Sequence, residues 1–172
     1  KVVEDYYLSQ QREESVSFDQ LWQTFDRYYR REGFLDQAQK QAREEQAETM
    51  IKNLIERAKR DVPKAIERRF RVKTPEATLI GRIDAIFTDG EKVIIVDYKT
   101  GRVSDQAEAD QRAKQSRQLL LYNFALQQAG EEVTELQLRF LEPVVTGRVI
   151  PKPKDLERAA RLISKTAQGI KE

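Results

Sequence analysis

The chain has 172 residues, of which 35% are charged, with a net charge of +2 and a mean hydropathy of −0.73. This length suits one domain with its own core, and no apolar run approaches the roughly 20 residues that span a bilayer. Cys and His are both absent, which excludes disulfides, cysteine-held iron–sulfur clusters, imidazole metal sites and Ser-His-Asp triads.

The first 60 or so residues predict helices. Apolar side chains recur at spacings of three to four from Phe18 to Tyr29, which indicates core packing rather than a platform for stacked bases. Ser17 and Gln20 resemble a capping box, and Gly33 is expected to end this helix. A second helix is predicted from about Leu35 to Ala58, with an exposed Gln/Glu-rich first half.

The segment from Arg57 to Lys73 is strongly basic. It holds eight basic residues against two acidic ones, a local balance of +6. Such a segment could follow a phosphate backbone. The alternative is a solvated helix face.

The middle of the chain turns to β-branched and apolar residues. Strands are predicted over Thr78–Phe87 and Lys92–Tyr98, with Asp89-Gly90 as a hairpin signal between them. A long helix is expected from about Gln106 to Ala129, ended by Gly130. Three further elements follow: strands over Glu135–Leu141 and Val144–Ile150, and a helix over Asp155–Ala167. This order predicts an α/β (α+β mixed) fold, a central mixed β-sheet flanked by helices.

Four charged residues share one face of the otherwise apolar hairpin. Strand alternation places Arg82, Asp84, Asp97 and Lys99 together and turns Ile83 to the opposite face. A two-residue turn makes paired residue numbers sum to 179, which puts the two aspartates on a diagonal. A four-residue loop makes the sum 181 and puts them directly opposite. Both registers bring the carboxylates to one side of the sheet.

Two carboxylates this close repel each other unless a cation lies between them. Carboxylate oxygens favour hard cations such as Mg²⁺. A bound cation, a second carboxylate and the Lys99 ammonium are the parts needed to hydrolyse a phosphodiester. The alternative is a structural network that pairs Arg82 with Asp97 and Asp84 with Lys99. Buried ion pairs contribute little net stability relative to apolar replacements, which favours the functional interpretation.

Three ordered motifs extend this pattern. They read Gly81-Arg82-Ile83-Asp84, then Asp97-Tyr98-Lys99-Thr100-Gly101, then Gln118-Leu119-Leu120-Leu121-Tyr122. Together they resemble the PD-(D/E)XK nuclease superfamily, in particular its RecB-like branch, over roughly Glu67 to Ala125. Glu67 matches an acidic residue that this family tends to carry shortly before the first strand.

The resemblance implies a fold and a set of site residues. It implies a restriction-endonuclease-like core over residues 63–172, preceded by a helical part over residues 1–62 of the same domain. The metal ligands would be Asp84, Asp97, the Tyr98 backbone carbonyl and possibly Glu67, the catalytic residues Asp84, Asp97 and Lys99, and the DNA contacts Gln118, Tyr122 and Arg82. The expected cofactor is Mg²⁺, for which Mn²⁺ can substitute, without an iron–sulfur cluster.

The resemblance also implies a function. We expect a metal-dependent deoxyribonuclease, exonuclease or endonuclease, in a cytoplasmic helicase–nuclease of DNA repair or recombination. Its partners would be DNA and a helicase domain, in the same chain or in a partner subunit, without a membrane. Since the chain lacks an initiator Met, we expect a fragment of a longer protein.

Two other hypotheses stay open. RecB-like nucleases usually carry a metal-binding His on a first helix, and we expect it just upstream of Lys1. If that His is lost, the chain would be a catalytically inactive DNA-binding module of the same fold. A protein-interaction domain is the third hypothesis, suggested by the Gln/Glu-rich helix before Met50.

Overall fold

Three helices precede a five-stranded sheet in the computed structural model, which describes residues 1–30, 32, 34–59, 62–90 and 92–171. The elements before the central hairpin are α1 (Val2–Gln11), α2 (Phe18–Tyr28), α3 (Gln37–Ala58) and β1 (Ala65–Lys73). The remaining elements are β2 (Thr78–Asp89), β3 (Lys92–Lys99), α4 (Gln106–Gln115), α5 (Arg117–Gln128), β4 (Val133–Leu141), β5 (Val144–Val149) and α6 (Pro153–Lys171). None of the helices described is long and apolar enough to cross a bilayer.

The sheet has the strand order β1-β2-β3-β4-β5 and is mixed. Strands β3 and β4 run parallel, and the other neighbours are antiparallel. A parallel pair needs a long crossover, which α4 and α5 supply. One core cluster joins these helices to the sheet through residues such as Ile95 and Leu119, and a second joins α1, α2 and α3 to Val96 and Phe87. The predicted α/β fold, a mixed sheet flanked by helices, is confirmed.

The N-terminal helices follow the sequence predictions closely. Ser17 and Gln20 form the expected capping box, in which the Gln20 N–H donates to the Ser17 hydroxyl and the Ser17 N–H donates to the Gln20 side chain. Leu21 is fully buried, and most of the first half of α3 is exposed. The predicted helix end at Gly33 lies outside the described residues.

The prediction of a single long helix from Gln106 to Ala129 is wrong, because the structure has two helices there, α4 and α5. Ser116 interrupts it with an extended backbone, and its hydroxyl accepts a hydrogen bond from the Leu119 N–H at 3.2 Å, which caps α5. A serine hydroxyl that satisfies a free N–H favours a new helix start over continuation. The apolar pattern hides the break because α4 and α5 contribute to the same core cluster.

The basic segment from Arg57 to Lys73 is not one helix face. It contains the end of α3 and the whole of β1, a strand that the sequence did not predict. Along the second half of β1, Arg69, Arg71 and Lys73 are exposed, whereas Phe70 and Val72 pack inward. The positive charges therefore lie on the outer face of an edge strand.

Helix α4 packs directly on β5 at Gly147. A Cβ atom at this position would lie 2.0 Å from the backbone oxygen of Ala109 in α4. Since backbone cannot rotate away as a side chain can, only glycine allows the two elements to approach this closely.

We expect Gly147→Ala to lower the free energy of unfolding by about 1–3 kcal/mol, the usual cost of overpacking. Urea denaturation followed by circular dichroism measures this. Gly169→Ala in α6 is the matched control, because a Cβ there meets nothing within 4 Å and alanine favours a helix. Equal stability of the two variants would show that the close approach at Gly147 is not a constraint.

Candidate active site

Asp84 and Asp97 come together where the β2–β3 ladder ends. Paired residue numbers sum to 181, as in Ala85↔Val96, which is the register that places the two aspartates opposite each other. Beyond this pair, the backbone N–H of Tyr98 donates a 3.0 Å hydrogen bond to Oδ2 of Asp84. One carboxylate oxygen of Asp84 is thereby fixed on the neighbouring strand.

The strand alternation breaks beside Asp84. Ile83 and Ile86 belong to the same core cluster, although regular alternation would turn them to opposite faces, so the prediction for Ile83 is wrong. On β1, Ile66 pairs with Ala85 and Arg68 with Ile83, which leaves Glu67 opposite Asp84. Glu67 has a φ of 50°, a strained conformation for a residue with a side chain. Both strands are therefore irregular at the acidic positions.

Lys99 connects Asp97 to helix α5. Its ammonium lies 2.7 Å from Oδ2 of Asp97 and donates a 2.9 Å hydrogen bond to the side-chain oxygen Oε1 of Gln118. The Gln118 amide in turn donates to the Tyr122 hydroxyl at 2.6 Å. Asp97 is 1% exposed, whereas 35% of the Lys99 side chain is exposed. The second and third sequence motifs thus form one continuous polar chain that begins in the core and reaches solvent.

The salt-bridge network considered from the sequence has the wrong partners. Arg82 pairs with Glu67, and Lys99 pairs with Asp97. Arg82 is more than half exposed and lies at the rim. Since its neighbours Gly81 and Ile83 both face α5, Arg82 points to the opposite side of the sheet, and the prediction that it shares a face with the other three charges is wrong. Glu67 lies inside β1 rather than before the first strand.

The site has an excess of negative charge. Burial raises the pKa of Asp97, the Lys99 ammonium lowers it, and the Asp84 carboxylate raises it further. Burial also raises the pKa of Glu67, which Arg82 lowers and the carboxylates of Glu4 and Asp84 raise. The pKa of Tyr122 is raised to about 12, chiefly by burial, with added contributions from Asp97, Asp84 and Glu67. The negative charges of Asp84, Asp97 and Glu67 therefore all act on the Tyr122 hydroxyl.

Two supporting contacts were not anticipated from the sequence. The Phe70 ring covers Gly81, where a Cβ would lie 2.3 Å from Phe70 Cζ, and meets the Tyr122 ring edge-on at 5.9 Å. On the other face, the Tyr98 hydroxyl lies 2.7 Å from that of buried Tyr7 in α1. A glycine inside a strand can signal such close approach, so Gly81 was the available sequence signal for the first contact.

The carboxylates offer a partial metal site. Oδ2 of Asp97 is buried, and the Lys99 ammonium at 2.7 Å is its only close polar neighbour within the described structure. Among the described residues, no three acidic side chains converge closely enough to enclose a metal ion. Mg²⁺ often keeps several waters and takes only one or two protein carboxylates together with substrate phosphates. Asp84 and Asp97 fit such a hydrated ion.

A comparison with solved structures concerns the fold of the chain. A crystal structure of a "Putative exonuclease" from Eubacterium rectale is similar, with a TM-score of 0.52 and 14% sequence identity over 98% of this chain. The chain spans 65% of that protein's length, and a likeness at this identity concerns the fold alone. The sequence has no significant match among curated proteins.

The family model of the PD-(D/E)XK nuclease superfamily matches residues 1–172. An Asp-Tyr-Lys triplet stands at the end of β3, with Asp84 on the neighbouring strand. With a family match over its full length, the chain belongs to the PD-(D/E)XK nuclease superfamily.

Proposed function

We propose that this chain is a metal-dependent deoxyribonuclease whose site comprises Asp84, Asp97 and Lys99. The observation that carries the proposal is the buried Asp97 carboxylate, held against Lys99 and beside Asp84. A charge in this position is costly for folding, which is common for a catalytic group. Membership of a nuclease superfamily supports the same conclusion.

The proposed roles follow from the chemistry of each group. Asp84, Asp97 and the Tyr98 carbonyl would hold Mg²⁺ or Mn²⁺, with Glu67 as a further candidate. When bound, the ion would supply an activated water and polarise the phosphate. Lys99 would stabilise the negative charge that develops on the phosphate, and its hydrogen bond to Gln118 keeps the ammonium oriented at the site.

DNA would approach the site from the rim. Arg82 is exposed there, and Gln118 and Tyr122 line the α5 side of the site through their contacts with Lys99 and with each other. We assign these three residues to DNA contact. Arg69 and Arg71 on the outer face of β1 add positive charge next to Arg82, since Arg69 pairs directly with it in the sheet.

The wider setting is part of the proposal. The three motifs favour the RecB-like branch and hence a cytoplasmic helicase–nuclease of DNA repair or recombination, with a helicase domain in the same chain or a partner subunit. The description of the Eubacterium rectale protein as a "Putative exonuclease" favours digestion from a DNA end over internal cutting.

A DNA-binding module without catalysis is the second candidate. It is favoured by the lack of three converging acidic side chains in the described part of the chain and by the ion pair between Lys99 and Asp97. This candidate predicts DNA binding that ignores divalent metal and falls steeply with salt.

We expect Lys99→Ala to reduce cutting of single- and double-stranded DNA by at least about 100-fold, the usual loss when a group that stabilises transition-state charge is removed. Cutting is measured in Mg²⁺ or Mn²⁺ with end-labelled oligonucleotides. Lys92→Ala is the matched control, because Lys92 is an exposed lysine at the opposite end of β3. Cutting by Lys99→Ala at the rate of Lys92→Ala would sink the proposed mechanism.

We expect Asp97→Asn to raise the melting temperature at pH 7 in the presence of a chelator. Because burial raises the pKa of Asp97 above its ordinary 3.8, the folded state binds this proton more tightly than the unfolded state. Stability from this group is therefore greatest below pH 3.8 and falls as pH rises through the raised pKa.

The advantage of Asp97→Asn should consequently shrink as the pH is lowered toward 4. Asp89→Asn, which removes an exposed carboxylate from the same hairpin, is the control. Scanning calorimetry across this pH range provides the comparison. A variant that is less stable than wild type at pH 7 would contradict an unfavourable charge at Asp97.

A further inference from the structure

A basic groove lies between α5 and α6, outside the residues assigned to the active site. It is lined by four cationic side chains and two leucines, namely Arg117, Leu120, Arg158, Arg161, Leu162 and Lys165. No acidic residue is among those that line it. The two leucines are partly buried, whereas all four cationic residues are exposed.

The cations of α6 form a single stripe. Lys154, Arg158, Arg161 and Lys165 follow one another at spacings of four, three and four residues, which places them on one side of the helix. The apolar residues Ala159, Ile163 and Ala167 are buried. With a rise of 1.5 Å per residue, the stripe extends about 16 Å.

The positive surface continues past Arg158. Arg158 also lines a neighbouring depression that includes Lys114, Arg148, Lys152 and Lys154 together with Glu135 and Asp155. Both acids already have partners, since Glu135 pairs with Arg148 at 3.2 Å and Asp155 with Arg158 at 2.8 Å. The exposed Glu157 lies 3.8 Å from Arg161, a separation at which a surface ion pair contributes little. The two depressions together hold eight basic residues against three acidic ones, Glu157 included, so a net positive charge remains.

One residue that lines the groove directly precedes a residue of the candidate active site in helix α5. Arg117 is the first residue of α5, and its neighbour Gln118 binds the Lys99 ammonium. The break at Ser116 sets this helix start, so the same local structure positions Gln118 toward Lys99 and Arg117 in the lining of the groove. An extended ligand at Lys99 could thus continue along α6.

We propose that the basic groove binds the sugar–phosphate backbone of the nucleic acid on which the proposed nuclease acts, a role that rests on the proposed function. Along one strand of a duplex the phosphates advance about 3.4 Å per nucleotide, so a 16 Å stripe spans about five of them. Lys and Arg side chains at this spacing bind phosphates without reading sequence. The groove would hold the part of the strand that lies beyond the site of cleavage.

The test is DNA affinity of the double variant Arg161→Gln/Lys165→Gln in a chelator, where no cutting can occur. Fluorescence anisotropy with single-stranded and double-stranded 20-nucleotide probes should show about tenfold weaker binding for at least one probe. The slope of log affinity against log salt is negative, and its magnitude should decrease by about 1.4–1.8, which corresponds to two lost phosphate contacts. The probe that loses more affinity identifies the form of nucleic acid in the groove.

The matched control is Arg43→Gln/Lys52→Gln on α3, which removes the same charge from exposed positions. If the double variant has the same DNA affinity and salt slope as this control, the proposed role of the groove is contradicted. The same assay with polyglutamate tests an acidic polypeptide as the alternative ligand. A loss of polyglutamate binding without a loss of DNA binding would also contradict the proposal. Because the assay needs no catalysis, a chain that binds DNA through the groove but never cuts it would refute the proposed nuclease activity and leave the groove supported.

Discussion

The buried carboxylate of Asp97 is the constraint around which the site is organised. It lies in the central strand of the sheet with 1% of its surface exposed, and a buried charge is unfavourable unless nearby groups compensate it. Lys99 supplies one compensating charge, but Asp84 adds negative charge beside Asp97, and Glu67 adds more beside Asp84. The folded protein therefore keeps an unfavourable electrostatic arrangement, which a bound cation would relieve at a pH where Asp97 is ionised.

The surrounding structure fixes this arrangement from both sides of the sheet. On the helix α5 side, the Ser116 cap begins the helix at the position from which Gln118 reaches Lys99. On the other side, the Tyr98 hydroxyl contacts Tyr7 and links β3 to α1. The two faces of one Asp-Tyr-Lys triplet thus serve different purposes, since alternate residues point in opposite directions. Catalysis is proposed for one face, and anchoring of the strand belongs to the other.

The sequence predicted the centre of this arrangement well. Because side chains alternate between the faces of a hairpin, a loop of two or four residues puts Asp84 and Asp97 on the same face. That alternation was enough to predict that the two carboxylates lie close together. It could not choose the register, which depends on the loop. It also assumed regular alternation, which fails beside Asp84 where Glu67 adopts a positive φ. Backbone irregularities of this kind leave no periodic signal.

The other features that the sequence did not predict have equally specific causes. Strand β1 was overlooked because its charged residues made the segment from Arg57 to Lys73 resemble a solvated surface. The break at Ser116 was hidden because the apolar spacing continues into α5. The proposed metal ligands and DNA contacts were derived largely from the resemblance to a family, since spacing alone cannot assign a role to Glu67 or to a backbone carbonyl.

The most direct test of this account is a crystal structure of the chain soaked with Mn²⁺, with anomalous scattering used to locate the metal. The account predicts a peak about 2.0–2.5 Å from a carboxylate oxygen of both Asp84 and Asp97, the range of metal–oxygen distances for such cations. Lys99 should then be displaced from Asp97 while it keeps Gln118 as its partner. A fully soaked crystal with no peak between the two aspartates, and with the ion pair of Lys99 and Asp97 intact, would contradict the central claim.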